Sequence, residues 1–296
     1  MQLLFLGTSC MIPTKQRNTS AILLTYKSEN ILFDCGEGTQ RQLRIAGLKP
    51  SKITKILISH WHGDHVLGLP GIIQTMGASE YNGTLKIFGP KGSKSHVEKM
   101  MDAFSFDNKV NFEVVEITKK RFFETADFIL EAKYLEHGMP CVGYSFIEKD
   151  RRRIKVAVAK SLGIPDGPLL GALQAGRTIK VKGREISPEI ATYVVKGKKI
   201  TYVADTVICD NAIELAQDSD ILISESVYDS SLEEKAQEYK HLTARQAGLI
   251  ANQAEVKKLV LTHFSQRYKD TQTIEEDARV VFNNVLCAED FMKIKL

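Results

Sequence analysis

Residues 59–65 read Ser59-His60-Trp61-His62-Gly63-Asp64-His65. Three of the chain's seven histidines and one carboxylate fall within six positions, directly after the apolar run 53–58. Neutral imidazole and carboxylate are donors that zinc accepts. A solvated cluster would account for the number of histidines, but not for their place at the end of a buried-looking strand. His60 and His62 are one residue apart, and Asp64 and His65 are adjacent, so their side chains leave the backbone in different directions. One ion would have difficulty collecting all four. Two ions, each taking a pair and completing its shell from elsewhere in the chain, would not.

Other polar residues stand where such shells could be completed. His137, in Glu136-His137-Gly138, follows the apolar run 128–134 and is the candidate third imidazole for the first ion. His263 follows the run 258–261. Asp205 follows 199–204 and is the candidate carboxylate shared between two cations. His96, among Lys94, Glu98 and Lys99, lies in a polar helical stretch and reads as surface.

The elements that must hold these residues are short apolar strands. Residues 3–6, 21–26, 31–33, 53–58, 85–88, 110–117, 128–134, 141–147, 199–204, 221–223 and 258–261 read as strands. Helices are expected up to residue 45, over 66–76 and over 213–217, with a helix and one short strand after 273. Gly36 and Gly38 allow a tight strand-to-helix turn after Asp34, which reads as a supporting or turn residue rather than a ligand. A phosphate cradle is disfavoured there, because no Lys-Ser/Thr pair follows. Thr243 and Gln246 have capping-box spacing, which places His241 just outside a helix N-terminus. A faint repeat also emerges. The order strand, Asp34, helix, strand, Ser59, His60 is mirrored by strand, Asp205, helix, strand, Ser224, Glu225, as if two similar halves flank the site.

The hydrophobic fraction of 43% and charged fraction of 26% are those of a soluble globular protein. Cys10, Cys35, Cys141, Cys209 and Cys287 form no CxxC pair and are odd in number, which points to a reducing, cytoplasmic setting. The run 3–6 is too short for a signal-peptide core, and no run reaches membrane-spanning length. Net charge is only +4, but residues 149–199 hold thirteen Lys/Arg against four Asp/Glu. That asymmetry, in a long Gly/Pro-punctuated insertion, is a cue for an acidic partner such as nucleic acid.

His60-x-His62-x-Asp64-His65 resembles the signature of the metallo-β-lactamase-fold hydrolases. Within them the chain resembles the short form of the ribonuclease Z family, the tRNA 3′-end processing endonucleases. Pro13-Thr14-Lys15-Gln16-Arg17-Asn18 is similar to that family's Pro-x-Lys-x-Arg-Asn loop, and Thr262-His263-Phe264-Ser265-Gln266-Arg267-Tyr268 to its Thr-His-x-Ser-x-Arg-Tyr run. The insertion, with Arg151-Arg152-Arg153 and Gly167-Pro168, resembles its flexible tRNA-binding arm.

The resemblance implies an α/β fold: a single αββα sandwich over residues 1–296 with a flexible basic arm inserted at about 148–192. It implies two zinc ions per subunit, the first on His60, His62 and His137, the second on Asp64, His65 and His263, with Asp205 bridging. Asp64 would accept the nucleophile's proton, and His241, oriented by Glu225, would protonate the departing ribose 3′ oxygen. Lys15, Arg17, Ser265, Arg267 and the arm would meet RNA. The expected reaction is cleavage of precursor tRNA after the discriminator base by a homodimer, giving a tRNA 3′-hydroxyl and a trailer 5′-phosphate. A small-molecule hydrolase of the same fold is disfavoured by the basic arm. A tRNA-binding protein without catalysis is disfavoured by the complete ligand set.

Overall fold

Leu32 and Phe33 are neighbours in sequence and face opposite ways. Leu32 joins an apolar cluster with Leu4, Leu23, Ile56 and Ile58, to which helix residues Leu43, Leu69, Ile72 and Met76 contribute. Phe33 instead meets Tyr144 and Tyr202, with ring centroids 6.5 and 5.7 Å apart. Side chains alternate across a strand, so a sheet covered on both faces reads as a continuous apolar run. That is the composition of the inner strands here.

The computed structural model describes residues 1–79, 81–105 and 109–296. It contains two seven-stranded sheets. In the first, Lys293–Lys295, Gln2–Gly7, Ala21–Tyr26, Glu29–Phe33, Lys55–Leu57, Thr84–Gly89 and Asn111–Glu116 lie side by side. In the second the order is Val285–Cys287, Leu259–Thr262, Ile221–Glu225, Lys199–Val203, Cys141–Glu148, Phe128–Leu135 and Arg121–Glu124. Phe33, Tyr144 and Tyr202 join the sheets face to face, and the Tyr144 hydroxyl donates to the Ile58 carbonyl at 2.6 Å. Helices cover the outer faces, giving α/β/β/α layers.

The repeat legible in the sequence is a repeat of topology. Glu29–Phe33 runs parallel to Lys55–Leu57, and Lys199–Val203 runs parallel to Ile221–Glu225. The carboxyl ends of these parallel strands and of Leu259–Thr262 deliver Asp34, His60, Asp205, Glu225 and His263.

Some elements differ from expectation. The helix expected over 66–76 is two, Gly63–Val66 and Leu69–Ala78, because Pro70 starts a fresh helix in its first turn. The strand expected over 53–58 is trimmed to Lys55–Leu57 and preceded by the 3₁₀ turn Pro50–Lys52. The tail holds two short strands rather than one, each closing the edge of a different sheet. Among the described residues no helix is long and apolar enough to cross a membrane.

The chain divides into two compact units. The second consists of residues 124–129 and 147–198. Within it Arg151–Ile154 pairs antiparallel with Thr192–Val195, and Ile179–Val181 with Arg184–Ile186. Its helices, Val156–Ser161, Pro168–Gln174 and Pro188–Ala191, pack with these strands around Ala159, Ile164, Leu173, Ile179, Val181, Ile186 and Ala191. The basic insertion therefore carries a small core of its own.

Candidate metal centre

Gly36 and Gly68 set the stage for the metal loop. A Cβ on Gly36 would meet the Asp64 carbonyl oxygen at 2.3 Å, and one on Gly68 would meet the Gly36 carbonyl at 2.1 Å. Only glycine lets the turn after Asp34 lie this close beneath the ligand-bearing turn. Trp61 holds the loop on its other side. Its indole donates to the Ser93 hydroxyl at 2.9 Å, and its ring stacks on His96 at 4.8 Å. His96 is exposed, as expected, but serves the loop as a platform.

Among the described residues two groups of donors share Asp205. His60, His62, His137 and Asp205 present ligand atoms within 4.8 Å of one another, and so do His65, Asp205 and His263. His60 Nε2 lies 2.9 Å from His62 Nδ1, which lies 3.3 Å from His137 Nε2. In the second group His65 Nε2 is 3.1 Å from His263 Nε2, which is 3.2 Å from an Asp64 carboxylate oxygen. Ligands held about 2.1 Å from a tetrahedral zinc are roughly 3.4 Å apart. The spacing therefore suits atoms converging on a cation.

Asp205 belongs to both groups. Its Oδ2 faces His60 Nε2 at 3.6 Å, while its Oδ1 faces His65 Nε2 at 3.5 Å and His263 Nδ1 at 3.4 Å. Among the described residues Asp205 Oδ1 and His263 Nδ1 are buried without a hydrogen-bond partner. Buried polar atoms left in that condition are rare and need an explanation. A bound cation supplies one.

The electrostatics agree. Burial would push Asp205 up, but His263, His65, His60 and His241 outweigh it and hold the carboxyl well below its ordinary range. Burial and neighbouring imidazoles lower His60 and His62, keeping them neutral and fit to be ligands. Burial opposes protonation of His65 and His263, yet carboxylates including Asp64 and Asp205 raise both, His65 to about 9. The pocket is short of positive charge, the condition a dication relieves.

Supporting contacts fix each ring. His65 Nδ1 donates to Asp34 at 2.8 Å, and Asp34 also accepts from the Ser59 N–H, the Ser59 hydroxyl and the Tyr202 hydroxyl. His137 Nδ1 donates to the Lys240 carbonyl at 2.9 Å, leaving Nε2 bare. Asp64 accepts from the Met11 N–H at 2.7 Å. Asp34 and His263 both have left-handed backbones, φ 55 and 60. Such strain in non-glycine residues gathers at functional sites. Tyr202 and Lys240 were not singled out from the sequence. Tyr202 shares its strand with many apolar residues, and Lys240 contributes only a backbone carbonyl.

His241 Nδ1 lies 3.1 Å from Glu225 Oε1, which also accepts from the Thr206 N–H at 2.9 Å. Burial opposes the His241 proton, but Glu225 and then Asp205 raise its pKa. The expected capping box on Ala244–Gln253 is present and fixes the chain beside His241.

The residues expected to meet RNA divide. Lys15, Arg151, Arg153, Gly167 and Pro168 are exposed. Gly167, at φ 125, holds a conformation that favours glycine, and Pro168 opens the helix Pro168–Gln174. Arg17 is turned inward, donating to the Tyr268 carbonyl at 2.8 Å and lying over Phe264. Arg152 is engaged with Glu189 at 2.9 Å. Arg267 lies over the Tyr228 ring, with its Nε 3.2 Å from the Ser265 hydroxyl.

Two layered sheets with a histidine- and aspartate-rich site at the strand ends define a metallo-β-lactamase-fold hydrolase. The fold matches human tRNase Z, short form, over 100% of this chain and 99% of that one, at TM-score 0.73 and 30% identity. It also matches the metallo-β-lactamase fold protein YhfI of Bacillus subtilis, at TM-score 0.72 and 17% identity, covering 99% and 98% of the two chains. A family profile described as Anti-Pycsar protein Apyc1 matches residues 1–149, the half that carries the His60–His65 loop and His137. Similarity to ribonuclease Z runs end to end. The protein of that name from Methanothermobacter thermautotrophicus is 41% identical over 100% of this chain and 97% of its own. That of Bacillus cereus (strain B4264) is 39% identical over 98% and 97%. The chain belongs to the ribonuclease Z family, and so to the metal-dependent endoribonucleases.

Proposed function

We infer that this protein is a zinc-dependent endoribonuclease acting on precursor tRNA. It cuts on the 3′ side of the discriminator base, leaving a tRNA 3′-hydroxyl and a trailer 5′-phosphate. The observation that carries the two-ion reading is the sharing of Asp205 between two donor groups, one oxygen turned to each. His60, His62 and His137 would hold one zinc, and Asp64, His65 and His263 the other. Bound there, two cations lower the pKa of water and offset charge on the phosphate.

The chain's own residues supply the rest. Asp64 would accept the nucleophile's proton, a role supported by the Met11 N–H that fixes its carboxylate. His241 would give a proton to the departing ribose oxygen, a role supported by Glu225, which favours its charged form. The Met11 N–H on Asp64 and the Glu225 carboxylate on His241 would hold these groups before substrate arrives, which is where much of an enzyme's advantage lies.

The arm would bind the tRNA body. Seven of its cations, Arg151, Arg153, Lys160, Arg177, Lys180, Lys182 and Arg184, are exposed. Phosphate contacts of this kind steer and hold nucleic acid without reading sequence. A homodimer would let one subunit's arm hold the tRNA that the other cuts.

The deciding experiment is cleavage of an end-labelled precursor tRNA by purified protein, with and without chelator, mapped to the nucleotide. A chelator-sensitive cut just after the discriminator base is expected. Turnover of bis(p-nitrophenyl) phosphate without any cut in the precursor would overturn the tRNA assignment and leave a small-molecule phosphodiesterase.

A further inference from the structure

Cys10 stands beside Asp64 and His263, two of the residues that would hold the second ion, and lies outside the set of histidines and aspartates. Its thiol, an Asp64 carboxylate oxygen and a His263 ring nitrogen lie within 4.8 Å of one another. The backbone around it is tied to both of those ligands. The Cys10 N–H donates to the carbonyl of Phe264, next to His263, at 2.9 Å. The following N–H, on Met11, donates to Asp64 at 2.7 Å. The Phe264 N–H in turn donates to Thr8 at 2.9 Å. The thiol is thus held beside the two ligands by main-chain bonds on both sides. Its side chain also packs on Val227 and Tyr228. A small apolar filler would satisfy that contact alone, but it would not account for sulfur held within reach of two ligands. Among the described residues His263 Nδ1 and Asp205 Oδ1 are buried without a hydrogen-bond partner, which points, apart from the thiol, to a cation at this end of the site.

We propose that Cys10 is a further protein ligand of the second metal, adding a thiolate to Asp64, His65, His263 and Asp205. The proposal rests on the two-ion reading above. Binding exchanges the thiol proton for the cation and releases that proton to solvent. A thiolate is a soft donor that zinc and cobalt accept readily, while carboxylate and water donors suit manganese and magnesium. Cys10 therefore biases the second site toward zinc and away from the harder ions.

The test uses Co2+ alone as probe, added to the metal-free full-length protein and to Cys10→Ser. The wild type should bind cobalt and show the intense near-ultraviolet absorption of a thiolate-to-cobalt transfer. The variant should bind cobalt, keep the weak visible bands of the ion and lose the near-ultraviolet band. A second measurement needs no variant: alkylation mapped by mass spectrometry should label Cys10 in the metal-free protein and spare it after zinc loading. The other four cysteines are buried and serve as internal references. Cobalt bound by the wild type without the band, a band retained in Cys10→Ser, or equal labelling of Cys10 with and without zinc would each overturn the thiolate ligand while leaving the two-ion reading intact. A wild type that binds no cobalt would overturn the two-ion reading, and the proposal with it.

Discussion

Asp34 takes the Nδ1 proton of His65 at 2.8 Å and so turns the other ring nitrogen, Nε2, toward His263, Asp64 and Asp205. A metal-binding histidine needs its tautomer fixed in this way, with the far nitrogen donating to a carboxylate or carbonyl. The same carboxylate accepts from Ser59 and from Tyr202, so one buried group ties the first sheet to the second beneath the site.

Asp34→Asn should therefore weaken metal binding while keeping the fold. Asparagine tolerates the left-handed backbone found here, φ 55, better than most residues. Its amide would present N–H to the His65 Nδ1 position and favour the tautomer with a proton on Nε2, where the lone pair is needed. Loss of an outer partner of this kind costs about 10–100-fold in metal affinity. Competition with a chromophoric chelator, alongside circular dichroism, would measure it. Unchanged zinc affinity would show that Asp34 has no orienting role.

His241→Ala should slow precursor cleavage by about 10²–10⁴-fold in kcat, the usual worth of a general acid. The same change should have little effect on bis(p-nitrophenyl) phosphate, whose leaving group departs without protonation. Glu225→Gln should act in the same direction but less, because it removes the group that favours the His241 proton rather than the proton donor itself. Equal losses on both substrates would make His241 a structural or metal-positioning residue.

Much of the site was legible because metal chemistry restricts residue types. Histidines that cluster at or just after the ends of apolar strands have few other uses, so His60, His62, His65, His137 and His263 are legible in the sequence, and the fold gathers all five around Asp205. Lys15 and Arg17 show the opposite case. A cation in a polar loop looks the same in sequence whether it faces solvent, as Lys15 does, or is spent on an internal carbonyl, as Arg17 is. Arg152 was hidden for the same reason, since its partner Glu189 is far along the chain. The break between the two helices after the metal loop was carried by Pro70, but an unbroken apolar run masked it.

Asp290 gives a prediction on stability against pH. It accepts from the Asn18 N–H at 2.7 Å, the Thr8 hydroxyl at 2.9 Å and the Gln42 amide at 3.1 Å, anchoring the loop that carries Lys15 and Arg17. Burial nonetheless pushes its carboxyl from 3.8 up to about 6, against those donors. A carboxyl raised on folding binds its proton more tightly in the folded state. Its contribution is fully present below the unfolded value and is lost as pH rises through about 6. Relative to Asp290→Asn, the metal-free wild type should lose about 1–2 kcal/mol between about pH 4 and pH 7, after discounting for partial exposure. Urea unfolding of both proteins across that range tests it, and parallel stability curves would refute it.

Removing the arm tests the division of labour between binding and chemistry. The ladder Arg151–Ile154 with Thr192–Val195 ends on the pair Ile154 and Thr192, so residues 155–191 can be replaced by a two-residue Asn-Gly turn without breaking its register. The excised piece takes its own apolar cluster with it. Hydrolysis of bis(p-nitrophenyl) phosphate should persist. Affinity for precursor tRNA should fall by at least about tenfold, or about 1.4 kcal/mol. The salt dependence of binding should flatten by about 0.7–0.9 in log–log slope for each phosphate contact removed. Arg151 and Arg153 remain on the shortened hairpin, so some affinity should be retained and should fall further in Arg151→Ala/Arg153→Ala. Equal loss of both activities would mean that the insertion supports the site itself, and unchanged tRNA affinity would mean that RNA is held elsewhere.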